Sequence, residues 1–125
     1  MLPRLNTDLV SIVQKTIKKN LKNMTIDLIP QSAITVVIAS KGYPGEFKKG
    51  ALLPSLNNFN DKTGISVFHS GTSKDKNGNI VSNGGRVLSI TSVGENVHDC
   101  RQKAYNIVET INWEQGFYRK DIGKL

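Results

Sequence analysis

The sequence predicts an α+β fold, with a mostly antiparallel sheet flanked by helices. Residues 8–22 and residues 97–111 repeat apolar side chains at three- and four-residue spacings, which is typical of amphipathic helices. The near-continuous apolar run Ala33–Ala39 indicates a strand covered on both faces. Asn77-Gly78 lies between short strand-like runs and indicates a hairpin. The resulting order is helix, strand, hairpin, strand, helix.

The first helix is predicted to begin at Asp8, with Thr7 or Asn6 as its cap. Its lysines lie mostly away from the apolar stripe, so we interpret it as a helix that packs against a domain and keeps its lysines in solvent. A helix lying on a membrane surface is the alternative. The connector 23–31 follows, with a candidate short strand at Thr25–Leu28. The stripe consists of Leu9, Ile12, Val13, Ile17 and Leu21.

The middle of the chain is expected to alternate strands and turns. A short helix near Pro54–Asn58 would interrupt the long irregular segment 42–64. Lys74–Asn79 is predicted to be a hairpin turn of type I′, because Asn-Gly favours positive φ at both central positions. The expected strands are Ala33–Ser40, Ile65–His69, Ile80–Ser82 and Val87–Val93.

The second helix is predicted to follow Asn96, which can cap it, with Asp99 in the position of a capping-box acid. Cys100 falls on its apolar face and is expected to be an inert, buried thiol. That face comprises Val97, Cys100, Ala104, Ile107, Val108 and Ile111.

The composition limits the classes of site and partner. The chain has 125 residues, one cysteine and a formal net charge of +7. One cysteine excludes an intramolecular disulfide, and His69 and His98 have no carboxylate at ligand spacing, so we expect no metal site. We also expect no membrane span, no specific nucleic acid and a cytoplasmic location. A stand-alone basic module that binds anions or nucleic acid stays open as the alternative function, although the lysines are dispersed.

The loop Asn83-Gly84-Gly85-Arg86 is the first candidate site. Adjacent glycines let backbone N–H groups approach an anion closely. The planar guanidinium of Arg86 matches a phosphate or a carboxylate. A plain hairpin turn that ends in an exposed arginine is the alternative.

A second candidate loop, Ser40–Gly45, follows the buried strand. Pro44 presets a turn, and Gly45 is expected to take the left-handed position after it. The turn alone does not require Lys41 or Tyr43, which add a cation and a hydrogen-bonding ring at the strand end. We expect both side chains to line the wall opposite Arg86. Their alternatives are a solvated lysine and a ring packed over the turn.

Five blocks occur in order along the chain and together resemble the C-terminal region of the phosphoribosylamine–glycine ligase family, also called glycinamide ribonucleotide synthetases. The resemblance covers essentially all 125 residues. At two positions the sequence departs from the family pattern: Ser70 stands where alanine is usual, and Ser89 where glycine is frequent. The blocks are Leu2–Leu5, Ala39–Gly45, Phe68–Thr72, Asn83–Leu88 and Tyr118–Gly123.

The resemblance implies the C-terminal domain of an ATP-grasp ligase, an enzyme that joins glycine to phosphoribosylamine in purine biosynthesis with ATP and magnesium. It implies that residues 1–30 join the body, residues 31–125, to N-terminal and ATP-grasp domains absent from this sequence. ATP and magnesium would bind there, so no cofactor or catalytic residue is assigned to this chain. The expected substrate-binding residues are Arg86, Gly84, Gly85, Lys41 and Tyr43. His69 is expected to bond locally rather than to catalyse.

Overall fold

A four-stranded antiparallel sheet forms the body of the protein in the computed structural model, which describes residues 2–56, 59 and 64–124. The strands are β1 Ser32–Ser40, β2 Ile65–His69, β3 Thr72–Lys74, β4 Ile80–Ser82, β5 Arg86–Gly94 and β6 Gly116–Phe117. Their order in the sheet is β2-β5-β1-β6, and β3 pairs with β4 in a separate two-stranded sheet. The predicted α+β class and its antiparallel sheet are confirmed.

One face of this sheet carries most of the core. β5 lies between β1 and β2, and Val36 faces Ile90 while Ile38 faces Leu88 across the strands. These side chains are almost completely buried, and α2, Val97–Ile111, packs against β1 and β5. Burial of this aliphatic surface is the main stabilising term of the domain. The buried α2 residues are Cys100, Ala104, Tyr105, Ile107, Val108 and Ile111.

Both ends of α2 are capped as local chemistry requires. The side chain of Asn96 accepts a hydrogen bond from the N–H of Asp99, at 2.9 Å, as predicted. The carboxylate of Asp99 accepts from Lys103 and from the N–H of Glu95 rather than from Asn96 itself. The hydrogen bond from Lys103 holds the pKa of Asp99 below its usual value. Asn112 ends the helix with φ 39°, in the left-handed conformation.

The first helix, α1, is shorter and capped differently than predicted. It spans Leu9–Ile17, and its cap is Asp8, whose carboxylate accepts from the N–H of Ser11 at 2.7 Å. The helix ends before residue 22 because Lys19 adopts φ 53°, which α-helical geometry excludes. The expected caps bond elsewhere: the side chains of Asn6 and Thr7 bind Asp27.

Two further local predictions were wrong. Thr25–Leu28 forms no strand, and Leu28 makes an isolated antiparallel bridge with Leu5. The 74–79 turn is not type I′, because Gly78 has a positive φ, 83°, and Asn77 does not. The carboxylate of Asp75 explains the difference, because it accepts hydrogen bonds from the backbone N–H groups of Asn77 and Asn79. These two bonds stabilise the observed turn conformation. The helix expected at 54–58 is absent from residues 54–56, and residues 57 and 58 lie outside the described part.

The apolar stripe of α1 is exposed. All nine helix residues are exposed or half-exposed, and the exposed fractions of Val13 and Ile17 are 49% and 76%. Hydrogen bonds join the two ends of the N-terminal arm, residues 2–31. The side chains of Asn6 and Thr7 bond Asp27, and the guanidinium of Arg4 donates to the carbonyl of Ile29. The arm therefore presents apolar side chains that a further surface could cover.

We expect the chain to self-associate through this stripe at high concentration, because contact between copies would bury apolar surface. Sedimentation velocity should give a sedimentation coefficient that rises with concentration. The double variant Val13→Gln, Ile17→Gln should shift the protein toward monomer without unfolding it, since neither side chain is buried. A clean monomer of the unmodified chain at every concentration would contradict the prediction.

Candidate functional site

The end of β1 and the start of β5 bring the two candidate loops together. Ala39 pairs with Arg86 in the sheet. Ser40, 2% exposed, then donates its N–H to the carbonyl of Gly85 at 2.7 Å and its hydroxyl to the carbonyl of Gly84 at 3.0 Å. One buried serine therefore ties the loops through two hydrogen bonds.

Tyr43 lies directly against the second glycine. A Cβ atom built on Gly85 would lie 2.1 Å from Cδ2 of Tyr43, so no larger residue fits at position 85 while the ring stays in place. The Tyr43 ring also meets the edge of Phe47, with centroids 6.2 Å apart. The contact brings a backbone segment and an aromatic ring to one wall of the site.

The turn at 42–45 differs from its prediction in one detail. Gly42, rather than Gly45, takes the left-handed conformation, with φ 97°. The chain folds back so closely there that a Cβ at position 42 would lie 2.0 Å from the carbonyl oxygen of Glu46. The Tyr43–Pro44 peptide bond is cis.

A third turn, 69–72, packs on the glycine loop. A Cβ on Gly71 would lie 2.8 Å from the Cα of Gly84, and the N–H of Asn83 donates to the carbonyl of Gly71 at 2.8 Å. Sequence reasoning did not single out Gly71 as part of the site, although it lies in a resembling block. His69 bonds Thr72 through Nδ1 at 3.0 Å, which agrees with a local structural role.

Two adjoining clefts open on the face of the sheet away from α2, and both are lined by Val37, Tyr43 and Arg86. The serine cleft, about 560 Å³, continues along Ser70, Gly85 and Ser89. The tail cleft, about 380 Å³, continues toward the C-terminal tail and is mainly apolar. Its other lining residues are Thr35, Ala39, Pro44, Phe117, Tyr118, Arg119 and Ile122.

Several donors in or beside the two clefts have no partner within the described residues, although Gly84 lines neither cleft and Gly85 lines only the serine cleft. The guanidinium of Arg86 is exposed and makes neither an ion pair nor a hydrogen bond to any residue in ranges 2–56, 59 and 64–124. The N–H groups of Gly84 and Gly85 likewise have no hydrogen bond there, since the two glycines use only their carbonyls, toward Ser40. An unpaired cation beside free N–H groups suits an oxyanion.

Lys41 is placed apart from these clefts. Its backbone N–H donates to the carbonyl of Gln115 at 2.9 Å. It lines two other clefts, one with Glu46 and Phe47 and one with Trp113 and Glu114. The structure therefore brings Tyr43, Gly85 and Arg86 together and places Lys41 on a different side of the bend. A substrate-binding role for Lys41 stays a prediction.

The C-terminal tail is held by two α2 side chains that sequence reasoning missed. The hydroxyl of Tyr105 donates to the carbonyl of Arg119 at 2.7 Å and accepts from the N–H of Ile122 at 3.1 Å. Arg101 donates to the carbonyl of Lys120 at 2.7 Å while its guanidinium lies over the Tyr105 ring. A buried tyrosine needs a partner for its hydroxyl, which is the signal that could have found this contact.

Two charged tail residues, Arg119 and Asp121, pair with each other. Arg119 binds the carboxylate of Asp121 through two nitrogens, and this hydrogen bonding lowers the pKa of Asp121 to about 2. Arg119 also lines the tail cleft.

Among residues 2–56, 59 and 64–124, no three histidine, cysteine, aspartate or glutamate side chains cluster as metal ligands would. No described helix has the length and apolar character needed to cross a bilayer.

Comparisons of this sequence with known proteins agree on one family. The family model "Phosphoribosylglycinamide synthetase, C domain" matches residues 33–125. The chloroplastic phosphoribosylamine–glycine ligase of Arabidopsis thaliana is 40% identical over 98% of this chain and 23% of its own length. A bifunctional purine biosynthetic protein of Dictyostelium discoideum is 41% identical over 99% of the chain and 15% of its own length.

A solved structure agrees with these matches. The phosphoribosylamine–glycine ligase of Thermotoga maritima superposes with a TM-score of 0.75 and 29% identity, over 90% of this chain and 26% of that one. The chain thus spans about a quarter of the ligases that it matches. Since the family model covers most of the sequence, the chain belongs to the phosphoribosylglycinamide synthetase C-domain family.

Proposed function

We propose that this chain is the substrate-closing C-terminal domain of a phosphoribosylamine–glycine ligase. The observation that carries the proposal is the serine cleft, which is lined by the unpaired Arg86, by Tyr43 and by Gly85, whose N–H has no hydrogen bond among the described residues. A phosphate or carboxylate of the substrate would be bound there by charge-assisted hydrogen bonds. The names of the relatives supply the reaction class.

The proposed contribution of the domain is positioning. The complete ligase would join glycine to phosphoribosylamine, and ATP with magnesium, bound in the rest of the enzyme, would supply the phosphoryl group that activates the glycine carboxylate. Arg86 and Gly85 would hold an anionic substrate group, and Tyr43 would limit its movement. Holding reactants in a reactive geometry removes much of the entropic barrier. No residue of this chain is assigned to proton transfer.

The partners of the domain would be the two small substrates and the N-terminal and ATP-grasp domains. We propose that the 1–30 segment joins the body, 31–125, to those domains, which would cover the exposed stripe of α1. We also propose a cytoplasmic location, although the Arabidopsis relative is named as chloroplastic.

The stand-alone basic module is not favoured. The relatives are ligases, and the cation at the candidate site is one arginine in a cleft rather than an extended basic surface. Non-specific nucleic-acid binding would require several phosphate contacts along a groove.

A domain replacement tests the proposal. Residues 33–125 would replace the matching C-terminal region of the Thermotoga maritima ligase, and formation of glycinamide ribonucleotide from ATP, glycine and phosphoribosylamine would be measured. We expect activity from the chimera and none from the isolated chain, because the nucleotide would bind outside this domain. The control is the Thermotoga enzyme without any C-terminal region, which should be inactive. A folded but inactive chimera, or activity of the chain alone, would contradict the proposal.

A further inference from the structure

Two serine hydroxyls line the cleft beside Arg86. Ser70 follows β2, and Ser89 lies in β5 opposite Phe68 of β2. Their Oγ atoms are 3.2 Å apart, within hydrogen-bond distance. Both residues line the serine cleft together with Gly85 and Arg86. Neither hydroxyl is deeply buried, so a ligand in the cleft can reach both.

The chemistry of this pair leaves a donor for a ligand. Each hydroxyl carries one hydrogen and two acceptor lone pairs. When one hydroxyl donates to the other, the accepting hydroxyl keeps its own hydrogen, which can turn toward the cleft. Its neighbours there are the free N–H of Gly85 and the unpaired guanidinium of Arg86. A hydroxyl, a backbone N–H and a planar guanidinium lining one cleft can share the three terminal oxygens of a phosphate.

The two clefts therefore differ in what they can hold. Apart from Arg86, which both clefts share, the tail cleft is mainly apolar, and its second arginine, Arg119, is already paired with Asp121. The serine cleft is lined by the two serines and by Gly85, whose N–H has no hydrogen bond among the described residues. A phosphate that loses its hydrating water therefore finds more unpaired donors in the serine cleft than in the tail cleft.

We propose that the serine cleft binds the ribose phosphate of the substrate and that Ser70 and Ser89 add hydroxyl donors to Arg86 and Gly85 there. The proposal rests on the proposed function and deepens it by naming the substrate group and its additional contacts.

The test is a titration of the full chain with ribose 5-phosphate, followed by amide NMR shifts. The double variant Ser70→Ala, Ser89→Ala is expected to raise the Kd about tenfold, since hydrogen bonds to a charged ligand are lost. Inorganic phosphate should show the same loss, whereas glycine should show none. The matched control is Ser66→Ala, which removes a hydroxyl from the same face of β2 away from both clefts and should leave the Kd unchanged.

The outcomes separate this inference from the proposed function. If Arg86→Ala weakens ribose 5-phosphate binding and the double serine variant binds like the unmodified chain, the role of the hydroxyls is overturned while the Arg86 site stands. If the unmodified chain shows no shifts at residues 84–89, or if Arg86→Ala binds equally well, the Arg86 site fails and the serine proposal fails with it. Thermal unfolding of each variant checks that the fold is intact.

Discussion

Replacing Arg86 by alanine in the assembled ligase is expected to raise the KM for phosphoribosylamine by between about tenfold and about a hundredfold. A hydrogen bond to a charged group contributes about 1.5–3 kcal/mol, which converts to that range of affinity. The effect should be large because the guanidinium has no other partner among the described residues, so its charge is available to the substrate. Stability should change little, since the side chain is exposed.

Two variants sharpen the measurement at Arg86. Arg86→Lys keeps the charge but loses the planar fork, and we expect it to recover only part of the affinity. Lys120→Ala removes a cation from the exposed tail, outside the lining of both clefts, and should leave the KM unchanged. Steady-state kinetics with each substrate varied in turn would show which one depends on Arg86. An unchanged KM for both substrates would contradict a substrate-binding role for Arg86.

The largest effect on stability is expected from Leu88→Ala, which should lower the free energy of unfolding by about 2–5 kcal/mol. Leu88 is fully buried in β5 and faces Ile38 across the sheet. Truncation would remove its buried apolar surface and leave a cavity against α2 that the rigid sheet cannot close. Urea unfolding followed by circular dichroism would give the change as a lower midpoint with an unchanged slope.

Leu52→Ala is the matched control for this substitution. It makes the same chemical change at a side chain that is 61% exposed, so the free energy of unfolding should move by less than about 0.5 kcal/mol. Equal losses in the two variants would contradict the assignment of the core to the α2 side of the sheet. Because Leu88 lies two residues from Arg86 in the same strand, the variant also tests whether core packing supports the clefts.

The long elements were predictable because each has a strong local pattern. β1 is a near-continuous apolar run, β5 is rich in β-branched residues, and α2 shows a regular apolar face and a capping residue, Asn96. Errors arose where the conformation or the hydrogen bonds of a single residue decided the local structure. The carboxylate of Asp75 reshaped the hairpin turn, and the left-handed Lys19 ended α1 early. Neither residue alters the hydrophobic periodicity on which the prediction depended.

The candidate site was likewise predictable only in part from the sequence. Residue types alone predicted that Arg86, the two glycines, Lys41 and Tyr43 bind an anion, and the resembling blocks indicated the family. Tertiary structure alone decided that Ser40 ties the loops together, that Lys41 lies apart from Arg86, and that Tyr105 holds the tail. These relations depend on strand register and on contacts between residues distant in sequence. Local composition and spacing carry the propensity of each segment, but they do not encode which loops the sheet brings side by side.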